Sequence, residues 1–359
     1  MKKNILKIAL FYLILMPCLI TAKTTVTTES NPLFPDIELG GGEETRFKDD
    51  FADTVMGNAP NFAEAFYLQN MLGYVVGKPH IKGWQAGFVL GSAFANGEYW
   101  DRTAKPDTYP AFAPIVNFHL GKELDSRSDV IGKIMILDLF MTGREPELSD
   151  VTIEDYRQFS IGGKYRRRII DRKSLLPFLL NFEGITAGAS ADILTGYMGT
   201  KGLYDIEQDD TTVSTPAGDR SVDTELESEY TAKATWIQMS LGVDVISYFR
   251  VMRFMNLYTG LGCAVGYNWF GMKAESEGEL MARDNSLDSA IGNGFDYRAD
   301  YLLTISYESD YVYNPFPLMP IAILGCEIDI RDFSLTLESA VNLYNMQDVT
   351  MVLGARYQF

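Results

Sequence analysis

From about residue 84 to residue 359, apolar side chains recur at every second position, segment after segment. After the first 22 residues no apolar run reaches the roughly 18 residues that a membrane helix needs. A period of two sends successive side chains to opposite faces of a strand, so the chain is committed to β-sheet. The apolar face then packs on a core, as in a sandwich, or faces lipid, as in a closed barrel.

The N-terminus favours the barrel. Lys2, Lys3 and Lys7 precede an apolar stretch from Ile8 to Ile20, and Ile20-Thr21-Ala22 supplies a small-residue site. This reads as an export signal over residues 1–22, with cleavage expected after Ala22. Lipidation at Cys18 is the rival, disfavoured by Pro17 before it. Removal of residues 1–22 takes away three lysines and no acid, which moves the net charge from −17 to about −20. Nucleic-acid binding is disfavoured, because phosphate backbones need a basic footprint. The two remaining cysteines, Cys263 and Cys326, sit in apolar strand-like segments and are read as free thiols.

Twelve segments carry the alternation: 84–95, 112–121, 131–141, 156–168, 176–196, 235–245, 255–269, 272–283, 297–307, 318–330, 333–343 and 349–359. Segment 235–245 sets Ile237, Met239, Leu241, Val243 and Val245 against Gln238, Ser240, Gly242 and Asp244. In 131–141, Ile131, Met135, Leu137, Leu139 and Met141 share a face, which puts Asp138 on the other. In 297–307, Tyr301, Leu303, Ile305 and Tyr307 share a face. Twelve strands are expected, with 10 to 14 compatible. Short links near 122–129, 169–174, 247–253 and 331–332 read as turns at one end. Longer links near 96–110, 142–155, 197–231 and 307–317 read as loops at the other, while 284–296 is long for a turn. The acidic stretch 197–231 reads as a mobile solvated loop, and it has no EF-hand spacing.

Residues 23–83 form an arm of different character, marked by Pro32, Pro35 and Gly40-Gly41-Gly42. Asn61 followed by Glu64 starts a predicted helix over about 62–76, which can plug the barrel or lie outside it; a tether with an extra strand over 66–76 is the alternative. Residues 84–359 are the expected barrel.

The last segment carries the family resemblance. Met351, Leu353, Ala355 and Tyr357 alternate up to a terminal Phe359, which resembles the signal read by the outer-membrane barrel assembly machinery. Trp84, Trp236, Tyr267, Trp269, Tyr301 and Tyr307 resemble the aromatic girdles of such proteins. The chain thus resembles the bacterial outer-membrane β-barrels, porin-like in kind. The resemblance implies an all-β, antiparallel up-and-down transmembrane barrel in the bacterial outer membrane, with lipids and the assembly machinery as partners. Asn58-Ala59-Pro60-Asn61 carries the Asn-Pro-Ala residues of long-chain fatty-acid transporter hatches in scrambled order, and Asn31-Pro32-Leu33 departs at its third position, so no subfamily is assigned.

Little in the chain points to catalysis, a cofactor or a metal. Only His80 and His119 are present; a likeness to barrel phospholipases would need a His/Ser pair with an Asn partner, and Asn117-Phe118-His119-Leu120-Gly121 has no serine two residues after the histidine. Gly260, Gly262 and Gly266 read as small lumen-facing strand positions, and Lys164-Tyr165-Arg166-Arg167-Arg168 as a solvated run beside a turn. The candidate pore-lining residues are His119, Asp138, Asp244, Glu327, Asp329, Glu338 and Arg356. Three functions follow: a porin-like channel passing small solutes, a non-transporting barrel whose loops bind host or environmental ligands, and a barrel hydrolase. The channel is the expected one, without enzymatic activity.

Overall fold

The computed structural model describes residues 19–30, 38–40, 42–57, 59–95, 111–140, 147–148, 151–171, 173–176, 180–215, 218–252, 254–284, 299–314 and 317–359. Its elements are β1 (Leu19–Ser30), β2 (Glu38–Leu39), α1 (Glu43–Met56), α2 (Ala59–Met71), β3 (Trp84–Ala95), β4 (Ala111–Asp125), β5 (Ser128–Phe140), β6 (Glu147–Leu148), β7 (Val151–Ile170), β8 (Lys173–Leu176), β9 (Leu180–Thr215), β10 (Gly218–Met252), β11 (Met255–Asp284), β12 (Ala299–Asn314), β13 (Leu318–Ile330), β14 (Phe333–Asn342) and β15 (Val349–Gln358).

Ten strands close a ring in the order β11-β10-β9-β7-β5-β4-β3-β15-β14-β13, and β13 pairs back onto β11. Every pairing is antiparallel. The ring has ten members rather than the expected twelve because two pairs of segments merge. Segments 255–269 and 272–283 are one strand, β11. Segments 297–307 and 318–330 fall on β12 and β13, which follow one line along β11: β13 takes Met255–Val265 and β12 takes Phe270–Asp284. The sequence between them is Asn314-Pro315-Phe316-Pro317, and proline cannot donate to a ladder.

The merger re-sorts the ends. Link 284–296 joins the far ends of β11 and β12, where Asp284 pairs with Ala299, at the same end as the β9–β10 tip. Residues 285–298 themselves lie outside the described residues, and much of 307–317 lies within a strand rather than a loop. Stretch 197–231 is no loop either, because β9 and β10 run through it as a paired hairpin to Thr215 and Gly218.

The barrel has two storeys with opposite polarity. In the lower storey the exterior is apolar: Phe88, Leu90, Phe118, Ile237, Leu241, Val243, Leu261, Leu324 and Leu353 are exposed, while Gln238, Ser240, Asn256, Glu327 and Thr336 are buried inside. An apolar exterior over a polar interior is stable only in lipid, so this is a transmembrane β-barrel. Above Trp236 the alternation continues but its chemistry inverts. Glu225, Glu227 and Glu229 of β10 and Glu275, Glu277 and Glu279 of β11 face outward, over buried Leu226, Tyr230, Ala274 and Leu280. Strands β9 to β12 extend into this storey, β1 adds to β12 along Leu19–Ser30, and β2 adds to β9. Such a polar exterior over an apolar core belongs in water.

Three assignments of face change. On β5, Ile131 and Met135 are buried inside while Ile134 and Ile136 face out. Both phases of β5 are apolar, so a period of two cannot choose between them. Leu303, Ile305 and Tyr307 of β12 are buried in the upper core, so Tyr307 is no girdle residue. Trp236 is likewise fully buried, whereas Trp84 is exposed at the turn end.

The N-terminal segment fills the interior. In α1, Phe47, Phe51 and Val55 recur at helical spacing and are buried in the upper storey; Phe51 stacks on Tyr307 with ring centroids 4.6 Å apart. Glu43 and Glu44 sit in its first turn, where the helix dipole favours acids. Helix α2 lies over 59–71 rather than 62–76 and is buried nearly all round, with Phe66 stacked on Trp236 at 4.0 Å. Residues 72–83 then descend through the lower storey to the turn end, where β3 begins beside Phe359.

Candidate functional site

The lumen of the lower storey is occupied by α2 and residues 72–83, and polar contacts hold them. Gln69 and Gln158 of β7 exchange two amide hydrogen bonds, of 2.7 and 2.6 Å. The Ala63 carbonyl accepts from Gln238 (2.9 Å) and Asn268 (3.0 Å). Lys133 of β5 donates to the carbonyls of Asn70 and Leu72 (the latter at 2.8 Å), placing a cation at the C-terminus of α2. The same ammonium pairs with Asp192 of β9 at 3.0 Å and lies over the Tyr74 ring at 4.4 Å, while the Tyr74 hydroxyl donates to Asp192 at 2.5 Å. Adding a Cβ at Gly162 would strike both Asp192 and Tyr74, so a side chain there and this triad cannot coexist.

Lower down, Glu327 accepts from the Gly77 N–H (2.8 Å) and the Thr336 hydroxyl (3.0 Å) and pairs closely with Arg356. Lys78 reaches Asp329 at 2.7 Å. Asp129 takes Arg166 in a two-point grip of 2.8 and 2.9 Å and also accepts from the Ile81 N–H at 2.8 Å. His80 bridges Glu123 (3.1 Å) and Asp129 (3.5 Å). At the aqueous turn end, the Gly83 N–H, and after it His80, hold the Glu123 carboxyl below its ordinary range. The Arg127 N–H does the same for Asp125.

Of the pore-lining candidates, His119, Asp244, Glu327, Asp329, Glu338 and Arg356 lie on the inner face. Asp244 pairs with Lys164 at 2.5 Å, and Glu338 accepts from Tyr258 at 2.8 Å. Asp138 does not join them. It shares the exposed phase of Ile134 and Ile136 and faces Arg157 of β7 at 3.7 Å. The basic run is split by the pleat: Lys164 and Arg166 point inside and Tyr165 and Arg167 outside, so it is not simply a solvated run. Sequence reasoning missed Lys133, Asp129 and Asp192. A lysine amid the apolar residues of segment 131–141 was the available signal, because such a cation turns inward.

Beside residues 71–76 a cavity of about 30 Å³ remains, lined in part by Lys164, Arg166, Asp244 and Glu338. That is room for about two waters. Among the described residues, no group of three or more His, Cys, Asp or Glu side chains could hold a metal ion.

A closed ring, a lipid-facing band and an ion-paired internal segment define a plugged transmembrane β-barrel. Residues 38–359 match the family model described as Lsa36-like, and the chain belongs to the Lsa36-like family. No curated protein matches it. Among solved structures it is similar to the toluene transporter TbuX of Ralstonia pickettii, at 9% identity and a TM-score of 0.22, covering 79% of this chain and 92% of that one. It is similar to a Pseudomonas aeruginosa FadL homologue at 8% identity and a TM-score of 0.25, covering 79% and 93%. LpxR from Salmonella typhimurium is 10% identical with a TM-score of 0.24, covering 77% and 100%.

Proposed function

We propose that this protein is a bacterial outer-membrane barrel, sealed by its own N-terminal segment, that acts as a binding protein through its water-exposed upper storey. In this reading the turn end faces the periplasm, the tall strands project outward, and the protein catalyses nothing. Its outer band meets lipid, and its Phe359 strand meets the assembly machinery. The observation that carries the reading is the occupied lumen: residues 59–76 are almost all buried against the inner wall, and the cavity beside residues 71–76 is about 30 Å³, too small for a hydrated solute. What the chain builds outside lipid is instead a rigid, charged sheet of five long strands.

A porin-like channel that opens when the plug moves is the second reading. It is favoured by the polar lining of the residual cavity, where Lys164, Arg166, Asp244 and Glu338 flank residues 71–76. Planar-bilayer conductance of residues 23–359 separates the two. Silence from the intact protein, with steady steps after deletion of residues 23–83, is expected. Steady steps from the intact protein would defeat the sealed reading and leave the channel.

A further inference from the structure

Among the described residues, a seam in the upper storey leaves one side of β9 without a strand. On the side of β9 away from β10, β7 pairs only as far as Gly202, opposite Val151, and β2 begins only at Val213, opposite Leu39. Thr212 is already taken: its carbonyl accepts from the Gly40 N–H at 2.8 Å, and its N–H donates to Glu43 at 3.1 Å. Among the described residues, no strand pairs with this side of β9 over residues 203–211. At about 3.3 Å per residue the gap is roughly 30 Å long. Over residues 203–208 every second residue turns its main-chain N–H and C=O away from β10, and at 209–210 a register shift and the left-handed backbone of Asp210 (φ 57°) interrupt the alternation.

The seam is not flat. Helix α1 stands beside it, and the two enclose an open cleft of about 520 Å³ lined by Arg46, Asp50, Asp53, Thr54, Asp205, Ile206 and Glu207. The single cation, Arg46, is within 3.8 Å of Glu43. Asp205 and Glu207 are two residues apart on one strand and both exposed, the spacing at which an added strand presents its own alternate side chains.

We propose that the edge of β9 at residues 203–211 is a strand-addition site for a basic extended segment of another protein, with Lys or Arg at alternate positions. Main-chain pairing to β9 supplies the register, and Asp50, Asp53, Asp205 and Glu207 select the charge. Acidic side chains on a free edge also repel acidic strands, so the seam is selective rather than a general aggregation site. The proposal deepens the binding role of the upper storey and rests on that reading.

The test is fluorescence anisotropy on detergent-refolded residues 23–359 with a labelled twelve-residue peptide, Lys or Arg alternating with Thr or Val. Saturable binding is expected. It should weaken about tenfold or more in D50N/D53N/D205N/E207Q, and by a similar factor when alternate peptide amides are N-methylated on the pairing edge. The methylated peptide acts on unaltered protein, so a folding fault in the variant cannot imitate the result. Equal binding of native, methylated and charge-clustered peptides would reduce the effect to charge attraction and overturn strand addition. Absence of binding overturns the site as well. A bilayer recording from the same preparation separates the two failures: silence leaves the sealed reading standing while the seam proposal falls.

Discussion

Removing Asp192 tests whether the plug is held by its ion pair. Lys133 and Asp192 are 3.0 Å apart, with side chains 1% and 0% exposed. Deleting one partner of a buried pair costs about 3–5 kcal/mol, because the survivor is left charged and desolvated. Lys133 keeps two carbonyls of α2, from Asn70 and Leu72, so the lower figure applies to Asp192→Ala. About 3 kcal/mol shifts the docking equilibrium of residues 59–83 toward release by on the order of 100-fold. Proteolysis of the plug in refolded protein reads this directly, because cleavage follows the open population when reclosing is fast. Lys133→Met/Asp192→Leu removes both charges, but it leaves the Tyr74 hydroxyl without its acceptor and the Asn70 and Leu72 carbonyls without their donor, worth about 1 kcal/mol each. The double variant should therefore be cleaved no faster than Asp192→Ala, although it has lost three hydrogen bonds and both charges. Cleavage of Asp192→Ala at the unaltered rate, or of the double variant faster than the single, would refute the reasoning.

Other expectations follow from single contacts. Trp236→Ala empties the site beneath Phe66 and should loosen α2 by about 3–5 kcal/mol, seen as faster plug proteolysis, with Trp236→Phe much milder. Gly196→Ala drives a methyl into the Trp236 ring and should cost about 1–3 kcal/mol, with a change in near-ultraviolet circular dichroism. Glu227 of β10 stands directly opposite both Glu279 of β11 and Asp205 of β9, so Glu227→Lys should raise stability by about 0.2–1 kcal/mol in low salt, and by less in high salt. Because the folded state lowers the Glu123 carboxyl, its contribution is present above the unfolded value and fades as pH falls through the folded one. The protection factor of the Gly83 amide, its exchange rate relative to the unfolded chain at the same pH, should therefore fall in acid, and Glu123→Gln should remove that dependence.

Much of the wall is legible in the sequence because lipid imposes one rule on every lower strand. Ile237 to Val245 and Phe333 to Leu343 face outward as the alternation says. Legibility fails where the rule changes sign. Leu303, Ile305 and Tyr307 alternate just as well, but above the membrane the apolar face turns inward. The same inversion makes Glu225, Glu227 and Glu229 look like loop acidity when they are the wet face of a strand. Helix α2 is legible only to within a few residues, since a helix buried on all sides has little amphipathic signal. Of the plug's anchors, Glu327 and its partner Arg356 stand out against apolar neighbours, whereas the plug residues that Glu327 meets, Gly77 and Lys78, come from a segment with no period at all.

The route of the chain explains why polar anchors are used. Residues 72–83 pass through the lumen and lead straight into β3, whose partner β15 is the last strand, so the final seam closes around the plug. A purely apolar lower lumen would let the segment slide, because hydrophobic contact has no direction. Each ion-paired anchor fits one position only: Lys133 at the end of α2, Glu327 at Gly77, Asp129 at Ile81. These anchors contribute little net stability, since desolvation offsets most of their attraction, but they fix the register of the segment against the wall. A one-residue slip would separate all three at once. The plug is therefore expected to dock in one step with ring closure, and Gly77→Val, whose side chain would meet Glu327, should impair barrel refolding itself rather than merely open a finished barrel.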